Sequence, residues 1–148
     1  METDVGMAAW RTFLTAHARV TALLEDELQR ERELPLTWYD VLLHLRESPE
    51  RRLRMTELAA AVLLSKSGLT RLVDRMYAAG LVNRSPDGDD RRGRWVMLTP
   101  QGKKRLREAG PVHVRGISRH FIDYLTPEAA QGMTEALARI VEAAESER

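Results

Sequence analysis

The chain contains no cysteine. That excludes a disulfide framework, a thiolate-ligated zinc or iron–sulfur site and any thiol redox switch. Long apolar runs are missing too. The longest, LAAAVLL at 58–64, falls far short of the roughly 18 residues a membrane helix needs. The opening METDVGMAAWRTFL has no basic stretch leading into an apolar run and a small-residue cleavage site, so no signal peptide is expected. The protein reads as soluble and cytoplasmic, with no membrane partner. Catalytic signatures are equally scarce: there is no G-x-S-x-G and no H-E-x-x-H. Gly102-Lys103 is not a phosphate-binding loop, because Met97 stands where the earlier glycine belongs. Four histidines, no two of them four residues apart, make a poor metal-ligand set, so neither a metal nor a resident cofactor is expected and the chain reads as a non-enzyme.

Net charge is also nearly absent, +1 from 23 basic and 22 acidic side chains, but the balance is uneven along the chain. Residues 1–33 carry net −3 and residues 127–148 net −3, whereas residues 84–107 hold 8 basic and 3 acidic groups, net +5. A polyanion would meet the middle of the chain rather than its ends. With 148 residues, 43% hydrophobic and 30% charged, one ordinary packed domain is expected.

Periodicity predicts a mainly α protein. Trp10, Phe13, Leu14, His17, Val20, Leu24 and Leu28 recur at three- and four-residue spacings, one face of a long helix over about 7–33. A second helix covers 36–47 with Thr37 as its expected cap, and Ser48-Pro49-Glu50 ends it. A short third helix over about 56–63 is followed almost at once by a fourth over about 65–79, which Gly80 is placed to stop. Leu81-Val82 and Trp95 to Leu98 then read as the two strands of a hairpin, with the turn-rich SPDGDDRRG between them. Thr99-Pro100 starts a fifth helix that reaches about Tyr124, and Gly110-Pro111 is expected to bend or split it. A last helix follows Thr126-Pro127-Glu128.

Two short helices in immediate succession form a helix-turn-helix, and the hairpin after them is a small β wing. In the fourth helix Leu69, Leu72, Val73 and Met76 make the apolar stripe, leaving Lys66, Ser67, Thr70, Arg71, Asp74 and Arg75 on the other face. Such a helix fits the major groove of duplex DNA, and residues near its N-terminus reach base edges. Ser67, Thr70 and Arg71 are the expected readers. Ser65 is expected to cap the helix near a phosphate, with Lys66 beside it and Arg75 on the backbone. In the wing tip, Arg91, Arg92 and Arg94 suit a narrow minor groove or flanking phosphates, and Asp90 orients an arginine rather than facing phosphate. The bland alternatives are a solvated polar helix face and a solvated charged loop.

Tyr39 to Leu42, Leu58-Ala59, Ser65, Thr70 to Arg75, Gly80 to Val82, Asp90 to Gly93, and Leu98 to Gly102 occur in this order and spacing. That ordered set resembles the MarR family of winged-helix transcriptional regulators over essentially the whole chain. The resemblance implies a DNA-binding lobe over about 36–99 and a helical dimerisation region over about 7–33 and 100–148. The implied protein is a homodimer on a pseudo-palindromic site, usually a repressor released by a small aromatic or anionic effector. Family members that sense thiol oxidation are not matched, for want of cysteine. The family's cleft would draw Trp10, His17, Trp38, His44 and His113 into an effector pocket, with Arg11 or Arg46 as counter-charge; the alternative is that the tryptophans and His17 only pack in a core or interface. A second reading of the whole chain is an architectural or protein-interaction module that has lost operator control.

Overall fold

The computed structural model describes residues 2–62, 66–85 and 94–148. It is mainly helical with a small antiparallel sheet, as the periodicity predicts. Helices α1 (Glu2–Arg32) and α2 (Leu36–Glu47) precede strand β1 (Arg52–Arg54). Helices α3 (Met55–Val62) and α4 (Lys66–Ala78), strands β2 (Val82–Arg84) and β3 (Trp95–Leu98), and helices α5 (Pro100–His120) and α6 (Pro127–Ser146) follow. Among the described residues no helix is long and apolar enough to cross a membrane.

The chain falls into two compact units. One, the core-bearing unit, comprises Leu24–His113: the end of α1, then α2 to β3, and the first half of α5. Its core is built from Leu28, Leu34, Leu42, Leu45, Leu58, Leu69, Met76, Val82, Val96 and Leu106, each fully buried. Burying one such side chain contributes about 2 kcal/mol, so this unit holds together through a contiguous apolar cluster. Arg105 donates to the Arg32 and Glu33 carbonyls at 2.9 and 3.1 Å, tying α5 to the open carbonyl end of α1. The other unit comprises the chain ends, Met1–Leu23 and Val114–Arg148.

The sheet corrects the two-stranded expectation. It has three strands in the order β1-β3-β2, with Leu53 opposite Val96 and Asn83 opposite Met97. β1 escapes a sequence reading because it is three residues long and its partner lies some forty residues away. Two further expectations are corrected. Thr37 does not cap α2: Pro35 occupies that position, its carbonyl accepting from the Trp38 and Tyr39 amides at 3.0 Å. Nor does Pro111 break α5, which runs through it without interruption to His120, followed by a 3-10 turn at Ile122–Tyr124. Pro111 is exposed while its neighbours Ala109 and Val112 are buried, so packing of one stripe carries the helix past a missing amide.

The junction after α4 explains two glycines. Gly80 has φ +80°, a left-handed conformation that stops the helix. Gly102 lies against the chain at Leu81: a Cβ there would sit 2.1 Å from the Leu81 carbonyl oxygen. Thr99 locks the same corner, donating to the Gly80 carbonyl at 2.7 Å and accepting from the Gly102 amide at 2.9 Å as the cap of α5.

Candidate nucleic-acid interface

α4 is fixed by its apolar stripe. Leu69, Leu72, Val73 and Met76 are buried, and Ala59 on α3 is buried where a small side chain lets the two helices approach. The opposite face is exposed and carries Ser67, Thr70, Arg71, Asp74 and Arg75. Lys66 opens the helix. Ser65 and the wing-tip residues Asp90, Arg91 and Arg92 lie outside the described residues. Arg94 is exposed, and its carbonyl accepts from the Met55 amide at 2.8 Å, joining the wing to the start of α3.

Three arginines that sequence reasoning does not single out belong to the same region. Arg84 on β2 donates to the Asp74 carboxylate and lies 4.1 Å above the Tyr77 ring, pinning the wing to α4 and pairing the one carboxylate on that face. Arg52 and Arg54 on β1 stack on Trp95. The RRLR run at 51–54 is their visible signal, because alternating arginines before a helix suit an edge strand.

The residues expected to line an effector pocket fall in different units. Trp10 and His17 lie on α1 in the unit made of the chain ends, exposed, on either side of Phe13 in a ladder of tilted rings 6.2 and 6.3 Å apart. A shallow depression of about 380 Å³ on the same helix is lined by Arg11, Thr12, Thr15, Ala16 and Arg19, and by none of the five named residues. Trp38, His44 and His113 lie in the core-bearing unit. Trp38 packs against the core. The His44 Nδ1–H donates to the Asp40 carbonyl at 2.8 Å, and that nitrogen is 3.4 Å from the Asp40 carboxylate. His113 stacks against Tyr39 with ring centroids 4.6 Å apart, and its buried Nδ1 has no hydrogen-bond partner. Burial pushes the His113 pKa below its ordinary value, against the pull of the Asp40 charge. Burial also raises Asp40, although His44 and His113 oppose that shift.

A buried-and-exposed helix following a short one, backed by a basic three-stranded sheet, is the architecture of a winged-helix DNA-binding transcriptional regulator. The MarR family profile matches residues 33–93. Over nearly its full length the chain is similar to AbsC, a MarR family transcriptional regulator from Streptomyces coelicolor: 39% identity, TM-score 0.87, 97% of this chain and 96% of that one covered. A second MarR family regulator from the same organism, solved in complex with DNA, is 35% identical with TM-score 0.85, covering 93% and 86%. The transcriptional repressor YetL of Bacillus subtilis is 32% identical over 90 residues, which span 61% of this chain and 54% of that protein. The chain belongs to the MarR family.

Proposed function

We propose that this protein is a cytoplasmic homodimer that binds a pseudo-palindromic DNA operator, represses the adjacent gene, and leaves the DNA when a small aromatic or anionic effector binds. The observation that carries this reading is the division of α4: four buried apolar residues set its depth, and the opposite face presents Ser67, Thr70 and Arg71 to solvent. Arg71 can pair with guanine through two parallel N–H donors, while Ser67 and Thr70 accept or donate to either base type. Two such helices in a symmetric dimer address half-sites about 34–36 Å apart.

The homodimer is supported by the unit formed by the chain ends, where Trp10, Phe13, Leu14, Ile140 and Val141 are exposed. An effector is supported by the group around His113, where a polar nitrogen is buried without a partner beside a tyrosine and a carboxylate. A gel-shift titration on the intergenic DNA upstream of the protein's own gene, with unrelated DNA as competitor at physiological salt, tests the reading. A shift that survives excess competitor supports a specific regulator, and aromatic acids can then be screened for release. Equal competition by unrelated DNA supports the architectural alternative.

A further inference from the structure

The outer face of the wing sheet carries a charged structure that α4 does not explain. Arg52 and Arg54 alternate along β1, so their side chains share one face, while Leu53 between them packs on the core. Pairing of β1 with β3 sets Arg54 opposite Trp95 and Arg52 opposite Met97. Both guanidinium groups lie over the same indole: the central carbon is 4.1 Å from the Trp95 ring centroid for Arg52 and 4.3 Å for Arg54. Each also faces a carboxylate. Glu50 accepts from Arg52 Nε at 2.9 Å and lies 2.6 Å from its Nη2, and Glu57 is 4.0 Å from Arg54 Nε. Those two glutamates are 71% and 52% exposed, so either can swing into solvent; the arginines are 36% (Arg52) and 17% (Arg54) exposed, which makes Arg52 the more open arm. The chain enters β1 through a tight turn in which Glu50 and Arg51 both have left-handed backbone, φ 58° and 57°.

We propose that Arg52, Trp95 and Arg54 form a phosphate clamp on the wing sheet, in which Trp95 holds two guanidinium groups for oxygens of the DNA backbone. The inference rests on the DNA-binding reading and deepens it. A guanidinium stacked on an aromatic face keeps its in-plane N–H donors available to oxygen acceptors, and stacking removes rotamer freedom that an unsupported arginine must give up on binding. Carboxylate and phosphate compete for the same donor edges, so Glu50 and Glu57 keep the clamp ordered until DNA oxygens replace them. Trp95 touches no DNA in this scheme. It is a positioning residue.

The test is fluorescence anisotropy of the full-length protein on a labelled, mixed-sequence 30-base-pair duplex, titrated at several salt concentrations, with melting curves to confirm folding. Arg52→Ala is expected to weaken binding about five- to tenfold at low salt and to flatten the salt slope by about one for each phosphate that the variant leaves unneutralised. Trp95→Leu should do the same with both arginines present, and Trp95→Tyr, which keeps an aromatic face, should restore most of the affinity. Unchanged affinity and slope in Arg52→Ala and Trp95→Leu would overturn the clamp and leave the arginines as a charged strand edge. A Trp95→Tyr protein that folds yet binds as poorly as Trp95→Leu would overturn the positioning role. Arg52 sits on the exposed sheet edge, so its variant keeps the test open even if Trp95→Leu fails to fold. Failure of the DNA-binding reading looks different: wild-type protein then gives no salt-dependent binding, and Arg71→Ala changes nothing.

Discussion

The two units of this chain handle apolar surface in opposite ways. In Leu24–His113 the apolar side chains close over one another, and among the described residues every buried hydrophobic side chain of the core lies there. In the unit made of the chain ends, Val5, Met7, Trp10, Phe13, Leu14, Ile122, Tyr124, Ile140 and Val141 are all exposed, whereas the core-bearing unit exposes only Tyr77 among the large apolar residues described. Exposed apolar stripes of that extent on monomeric proteins mark interaction surfaces. One unit is folded around itself; the other is suited to a second copy. The charge distribution agrees, because the acidic ends would repel DNA and the basic middle would attract it.

That contrast can be broken deliberately. The largest effect is expected from placing charge on the exposed stripes. Phe13→Asp combined with Ile140→Asp should give a monomer by light scattering and reduce DNA affinity by about 10²- to 10⁴-fold, since binding of the second half-site is then no longer intramolecular. Next comes the core-bearing unit. Gly102→Ala drives a methyl group into the Leu81 carbonyl and should cost about 3 kcal/mol, lowering Tm by roughly 10 °C. Arg71→Ala should leave Tm unchanged, cost about 1–3 kcal/mol on operator DNA, and reduce discrimination against unrelated duplex. Equal losses on both DNAs would remove Arg71 from base reading.

The smallest effect is a pH dependence confined to the core-bearing unit. His113 has a folded pKa below its ordinary value of 6.5, so the unfolded chain binds its proton more readily. Stability therefore rises as pH rises through the window below 6.5 and is lost on acidification. Asp40 acts in a lower window, above 3.8, with the opposite sign: its folded pKa is raised, so its contribution falls as pH rises there. In urea melts between pH 5 and 8, His113→Gln should flatten the dependence below pH 6.5 and leave it unchanged above. An unchanged profile would mean that another group carries it.

Local chemistry is legible in the sequence and distant pairing is not. The spacing of Leu69, Leu72, Val73 and Met76 places α4 and its outward face within a residue of the observed helix, because both faces are written in a single stretch of chain. Gly80 and Thr99-Pro100 likewise mark the ends they form. β1 stays hidden because its identity depends on Trp95 and Met97, far along the chain. With it goes the setting of Arg52 and Arg54: the RRLR run at 51–54 shows their charge, but the indole that both lie over is some forty residues further on. Pro111 misleads for a related reason: its local cost is fixed, but the burial of Ala109 and Val112 that offsets it is tertiary.

Pairing of two chains through their ends is tested most directly by the mass of the protein–DNA complex in native mass spectrometry, on a duplex carrying one operator. Two chains of 16.9 kDa per duplex are expected with the wild-type protein, and none retained when Phe13 and Ile140 carry charge. A single chain bound per duplex at full affinity would contradict the assignment of the chain ends to dimerisation.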